Sequence, residues 1–192
     1  MNVLEGRASR AANADASPTA QALGGRWADL PEVVRRLHGP CAARGPFEVE
    51  AGRSWPARML ARVFGLPGSG SAVDTRLEVT AGSGQYIWIR RFAGRRLATR
   101  QRVLASGTIA ERLGPIECLF TLEATDDGIE YRQTGARLCA GPLRMRIPKR
   151  LRPHVEARAC AQGAAMAVEV TVHAPLAGRL LRYRGTVREE GP

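Results

Sequence analysis

The sequence predicts an α+β fold, mostly β, built as a strongly curved antiparallel sheet or barrel of about seven to eight strands with two short N-terminal helices. Three observations point there. Two-residue alternation of apolar and polar side chains begins at Val73 and persists almost to the end of the chain. Turn signals, above all Asp126-Asp127-Gly128 and the isolated Gly94, separate the alternating runs. Helical spacing is confined to two stretches that end before Pro67. Closing such a sheet removes the exposed edges that invite aggregation. The other arrangement compatible with the pattern is an open sheet with both helices on one face.

Residues 1–24 are rich in Ala, Ser, Asn and Gln and run into Gly24-Gly25, which reads as a disordered leader ahead of a single domain over 25–192. Order is expected from Trp27. Asp29 has the spacing of a helix cap, with Pro31 in the first turn and Glu32 completing a capping box. Val33, Val34 and Leu37 supply the apolar stripe, and Gly39-Pro40 ends the helix, with His38 in its last turn as a C-terminal cap partner. Pro46 to Glu50 reads as a short extended piece. Ser54 then caps a second helix carrying Met59, Leu60, Val63 and Phe64, closed by Gly65 and Pro67.

Beyond it, Val73, Thr75, Leu77 and Val79 alternate, followed by runs at 85–92 and 96–105 about Gly94, and at 116–125 and 129–139 about the Asp-Gly turn. Ile116, Cys118, Phe120 and Leu122 share one face, opposite Glu117, Thr121 and Glu123. Pairing about that turn places Cys118 near Ala136, not Cys139, which disfavours a cross-strand disulfide. A third hairpin is expected over 154–161 and 164–174, with Met166, Val168, Val170 and Val172 on one face and Glu169, Thr171 and His173 on the other. A last strand runs from Leu180 to Arg188.

Composition narrows the function. A chain of 192 residues, 44% hydrophobic and 24% charged, can bury a core without disulfides or a structural metal. Its net charge of +11 is concentrated in two segments, 88–112 and 142–158, which carry +6 and +5; everything else cancels. Such a focused potential attracts polyanions, acidic membranes or anionic small molecules, the alternative being a solvated arginine surface. Cys41, Cys118, Cys139 and Cys160 form no C-x-x-C pair, and His38, His154 and His173 are scattered, so no metal site is assigned. The absence of a secretory signal pattern and of any long apolar stretch leads to the expectation of a cytoplasmic protein with reduced cysteines and no membrane span.

Candidate binding residues are those that place an aromatic body beside guanidinium groups, a composition suited to an anionic head on an apolar molecule. Trp88, Arg90 and Arg91 are the first, next to Phe92. Glu111, beside Arg112, reads as one member of a charge pair that orients a ligand or marks a strand entrance. Tyr183 and Arg184 follow a Pro-Leu-Ala-Gly turn, where a tyrosine can also lock a corner. No G-x-S-x-G elbow occurs, and His173 and Glu169 stand too far apart on one strand face to work together. Glu78 and Glu117 are the carboxylates that a barrel interior could tune toward catalysis. No catalytic residue and no cofactor are assigned, and the reading leans away from an enzyme.

Several pieces in this order resemble a known family. They are Leu30-Pro31 with Val34-Arg35-Arg36-Leu37-His38-Gly39, Gly65-Leu66-Pro67, Trp88-Ile89-Arg90-Arg91-Phe92, Glu111-Arg112-Leu113-Gly114-Pro115, Pro142-Leu143 with Pro148 and Pro153, and Pro175-Leu176-Ala177-Gly178 leading to Tyr183-Arg184-Gly185. Over about residues 27–188 the chain resembles the bacterial domain of unknown function family 4166. An acidic residue of the usual pattern, just before the centre of the tryptophan strand, is replaced here by Gln85 or Tyr86. The resemblance implies no established activity. Relatives fused behind nicotinamide-binding dehydrogenase-like modules imply a possible oxidoreductase partner, although no G-x-G-x-x-G follows a strand in this chain.

Three functions follow as expectations. The first is a binding module for a lipophilic or anionic metabolite. The second is a protein-interaction or accessory domain for a separate oxidoreductase. The third, weakened by only 5% aromatic residues, is nonspecific nucleic-acid binding through the arginine-rich segments.

Overall fold

Alternating inward and outward side chains let one long meander close on itself. The computed structural model describes residues 17–82 and 84–191. Its strands are β1 (Cys41–Ala51), β2 (Gly70–Gly82), β3 (Gln85–Phe92), β4 (Arg95–Val103), β5 (Ile109–Leu113), β6 (Ile116–Ala124), β7 (Gly128–Ala140), β8 (Leu143–Arg146), β9 (His154–Gln162), β10 (Ala165–Ala174) and β11 (Gly178–Glu189). Sheet order is β6-β5-β4-β3-β2-β1-β11-β10-β9-β7-β8, and β6 also pairs with β7, so the ring is closed by ten strands with β8 added outside it. All pairs are antiparallel. β7 makes the closure possible because it is long. Its Ile129–Leu138 stretch pairs with β6, Gly128–Arg132 with β9, and Arg137–Ala140 with β8.

The expected count of seven to eight strands is therefore too low. β5 is short and carries Glu111 and Arg112, and β8 reads Leu-Arg-Met-Arg between Pro142 and Pro148, so neither shows a clean alternation. β1 starts at Cys41, well before the expected Pro46, because the ladder runs through Gly45-Pro46 in place of breaking there. Gly45 and Gly185 permit close approach of β1 and β11. A Cβ on Gly185 would meet the Pro46 carbonyl and lie 2.6 Å from Cγ of Phe47.

Three short helices close one end of the barrel or flank the other. α1 (Pro18–Leu23) contacts β4, β5 and β6 and buries Pro18 and Thr19; Ser17 caps it, its Oγ accepting from the Ala20 N–H at 3.1 Å. Residues 18–23 are thus part of the packed structure and not of a disordered leader; the remainder of that expectation, residues 1–16, lies outside the described residues. A 3-10 turn (Gly24–Trp27) leads to α2 (Glu32–Leu37), which buries Val34 and Leu37. The Asp29 capping box does not form. Pro31 occupies the N-cap position without a side-chain bond, and Asp29 pairs with Arg26 at 3.3 Å. At the other end of the barrel lies α3 (Trp55–Val63), where Ser54 accepts from the Ala57 N–H at 3.2 Å as a cap, as its sequence predicts.

The ten strands of the ring alternate in direction, so every connection between them belongs to one of two ends. α1, α2, Gly84 and the turns at 104–108, 125–127 and 163–164 form one end, which the helices plug. Connections 52–69 (with α3), 93–94, 114–115, 141–153 (with β8) and 175–177 form the other, open end. The outer wall carries ion pairs such as Arg44–Asp74 at 2.8 Å, Arg91–Glu78 at 2.6 Å and Arg182–Glu169 at 2.6 Å, while the inner face is apolar. That arrangement inverts the pattern of a membrane-spanning barrel. No helix among the described residues is long and apolar enough to cross a membrane.

Candidate functional site

Ten strands leave more room than side chains can fill. A cavity of about 470 Å³ occupies the barrel, within the range typical of small-molecule sites. Aliphatic and aromatic groups dominate its wall. β10 contributes Met166, Val168, Val170 and Val172, the four residues whose alternation placed them on one face, and β6 contributes Cys118 and Phe120. Leu60 of α3 and Phe64 at its C-cap, with Leu151, Pro153, Pro175 and Leu176, surround the open end. Leu151 and Leu176 are 63% and 98% exposed, so the cavity reaches the surface there.

Within this apolar wall lies a contiguous polar patch centred on Arg90. β3 is positioned by ladders to β2 and β4, with Trp88 opposite Thr99 and Arg90 opposite Leu97. Arg90 donates to Thr99 Oγ1 at 3.1 Å, lies 3.7 Å from Glu111 Oε1, and holds its guanidinium carbon 5.3 Å from the centre of the Trp88 ring. Its side chain and that of Glu111 keep 17% and 21% of their surface accessible, and both line the cavity. Burial works against the Arg90 charge, but Tyr183, Glu111 and Tyr131 outweigh it and leave the guanidinium pKa raised. Of five guanidinium donors, only the one to Thr99 has a hydrogen-bond partner among the described residues. The indole Nε1 of Trp88 has no partner among the described residues and is buried.

His38 and Tyr131 extend the patch. Nδ1 of His38 donates to the Val34 carbonyl at 2.8 Å, which makes His38, and not Gly39, the residue that caps α2. Its ring meets Trp88 edge-on at 5.6 Å and stacks on Tyr131 at 6.4 Å. Burial pulls its pKa down to about 4 and Arg90 adds to this, against the Val34 bond, so the ring is neutral at pH 7 with Nε2 as an acceptor. Burial likewise raises the Tyr131 hydroxyl, with Glu111 adding to the rise and Thr19 and Gln101 opposing it, although neither of the latter reaches hydrogen-bond geometry.

Trp88, Arg90, Glu111 and Tyr183 therefore line one cavity. Arg91 and Arg184 do not. Arg91 faces outward and binds Glu78, and Arg184 faces outward and binds Glu48 at 2.6 Å. Tyr183 packs with Phe47 and Phe92, at ring distances of 5.9 and 5.2 Å. The two carboxylates considered for catalysis, Glu78 and Glu117, also point away from the cavity. Glu78 is held by Arg91 on the outer wall, and Glu117, with 3% of its side chain exposed, is enclosed by Arg102, Arg137 and Arg144. Among the described lining residues, Glu111 is the single carboxylate. Gln101, Tyr131 and His38 belong to the patch but were not singled out as binding residues. Tyr131 had a signal, since it pairs with inward-facing Leu122 across the Asp-Gly turn.

The family model described as Domain of unknown function (DUF4166) matches residues 30–187. The chain belongs to this family. The match to the DUF4166 domain begins at Leu30, in the approach to α2, and runs nearly to the end of β11, so it takes in the whole barrel and the Arg90 patch. No curated protein matches the chain. Among solved structures, the chain is similar to zebrafish ileal bile acid-binding protein complexed with cholic acid, at 7% identity and a TM-score of 0.36, over 79% of this chain and 98% of the other. At that TM-score the likeness carries no argument about the DUF4166 domain.

Proposed function

We propose that this DUF4166 domain is a binding module for a lipophilic molecule bearing an anionic or hydroxylated head. The observation that carries the reading is the Arg90 patch set in an otherwise apolar cavity. The aliphatic wall would take the body of the ligand, with burial of its apolar surface as the main favourable contribution. Arg90 has donors to spare, and Glu111 stands 3.7 Å away, looser than a hydrogen bond. A hydroxyl lying beside the pair would accept from Arg90 and donate to Glu111, whereas a carboxylate would take the unused Arg90 donors and the Trp88 indole N–H; Nε2 of His38 offers one further acceptor. Two features support a head held by direction as well as charge: the Trp88 ring beneath the guanidinium and the Thr99 bond that fixes it.

The test is equilibrium titration of delipidated protein with a fluorescent long-chain carboxylate and with its methyl ester. Ala157→Trp, which fills the cavity from β9, should abolish binding of both. Arg90→Met should weaken the carboxylate about ten-fold or more, the worth of one charge-assisted hydrogen bond, and leave the ester nearly unchanged. Equal affinity in the wild type and Ala157→Trp would contradict the proposal.

A further inference from the structure

The open end of the barrel is unlike the rest of the surface in two independent ways. Among the described residues, the large apolar side chains left exposed are Trp55, Met59 and Val63 on α3, Leu143, Met145 and Leu151 on the 141–153 segment, and Leu176 on the β10–β11 turn. All of them lie at this one end. Trp55, Met59 and Val63 recur every four residues, so they form a single stripe along the outer side of α3, while Leu60 on its other side and Phe64 at its C-cap line the cavity. Ser54 Oγ donates to the Ala177 carbonyl at 2.7 Å, which fastens the start of α3 to the turn bearing Leu176. Leu176 itself is 98% exposed with φ at 64°, a left-handed backbone that a leucine rarely adopts. A glycine would sit there more easily, and nothing in the fold needs an apolar side chain at that spot.

Charge divides the same way. The connections of the open end hold Arg53, Arg58 and Arg62 near α3 and five more basic residues between Gly141 and Pro153, with no acidic residue in any of them. The plugged end carries Arg26, Arg35 and Arg36 against Asp29, Glu32, Asp126, Asp127 and Glu190. Of the eight basic residues at the open end only Arg144 makes an ion pair among the described residues, with Glu117; the other seven, Arg58 and Arg62 among them, make none.

We infer that the open end docks on the surface of an anionic lipid bilayer. Exposed apolar tips interleaved with unpaired guanidinium groups match the two layers of such a surface, acyl chains below and phosphates above. A nucleic acid would satisfy the charges but leave the apolar tips in water, and a second copy of this chain would bring two basic faces together. The site at the membrane would be the cavity mouth, so a lipophilic molecule could pass from bilayer to barrel without crossing water. Docking itself does not depend on what the cavity holds, so its failure would leave the binding reading standing, and the reverse.

Vesicle co-sedimentation of the full chain tests this. Vesicles of three parts phosphatidylcholine to one part phosphatidylglycerol should carry the protein down at near-physiological salt, and pure phosphatidylcholine vesicles should not. Arg58→Glu with Arg62→Glu should lower partitioning about thirty-fold or more, from roughly a five-fold loss per basic group removed from the surface. Leu176→Ser, at a site too exposed to matter for folding, should lower it measurably at unchanged charge, as should Trp55→Ser. Equal sedimentation with neutral and anionic vesicles, or none with either, would overturn the inference. So would binding to an oligonucleotide that outcompetes the vesicles and ignores Leu176→Ser, or self-association that the same substitutions abolish.

Discussion

Acidification should destabilise this protein through His38, and the effect can be isolated by one substitution. The imidazole is packed between Trp88 and Tyr131 with Arg90 nearby, and its Nδ1–H is committed to the Val34 carbonyl. Burial, the largest cause, and Arg90 hold its pKa near 4 in the folded protein against 6.5 for a free histidine. The unfolded chain takes up the proton first. Stability that is fully present above pH 6.5 is therefore lost as the pH falls toward 4. The linkage relation gives a loss of about 2 kcal/mol by pH 5 and about 3 kcal/mol by pH 4, relative to neutral pH. The assay is urea denaturation of the wild type and His38→Gln, whose amide can still donate to Val34, at a series of pH values. Asp74, Glu78 and Asp127, whose pKa values are lowered by hydrogen bonds, also weaken the fold in acid, but they do so in both proteins and cancel in the difference. The wild type should be the steeper of the two between pH 6.5 and 4, by about the amounts above. Parallel curves would refute the placement of a neutral, buried imidazole beside Arg90.

Other expectations concern the cavity and its walls. Glu111→Gln removes the nearest carboxylate from Arg90 and should cost up to about 3 kcal/mol of stability in equilibrium denaturation, less if a ligand anion takes its place; an unchanged midpoint without ligand would contradict the pairing. Gly185→Ala drives a methyl into Phe47 and the Pro46 carbonyl and should destabilise by about 2 kcal/mol in the same assay, whereas a neutral outcome would mean that β1 and β11 are not in the described register. Burial pushes the Cys41 thiol up to about 11 and Cys118 up to about 12. Alkylation at pH 8, read by peptide mass spectrometry, should be about a hundred-fold slower at Cys41 than at a free thiol and slower again at Cys118, with equal rates as the contrary result.

Much of the site was legible through strand parity alone. The pair Arg90 and Arg91 are neighbours in sequence but belong to opposite faces, and Trp88 on the inward face assigns Arg90 to the cavity and Arg91 to the wall. Tyr183 and Arg184 divide in the same way. The same rule assigned Glu117 to the face opposite Cys118, so its exclusion from the interior could have been read from that alternation; of the three arginines that enclose it, Arg137 follows from the register about the Asp-Gly turn, but Arg102 and Arg144 do not, because they come from β4 and β8. Register about the Asp-Gly turn was readable too, and Cys118 does pair with Ala136. Closure was not. It depends on β7 reaching β6 and β9 on its two edges, a non-local pairing that leaves no periodic trace. Ser17-Pro18 carried a cap signal for α1, obscured by the low-complexity residues ahead of it. The polar patch draws Gln101, Glu111 and Tyr131 from three strands that only the finished barrel brings together.

Native mass spectrometry of the protein, purified gently from its own host and compared with its denatured mass, tests the central claim most directly. A binding module should carry a stoichiometric adduct whose mass identifies a lipophilic ligand, and Ala157→Trp should lose it. A bare chain in both spectra, together with a stable complex with another protein in pull-downs, would contradict the claim and favour an accessory domain for a separate enzyme.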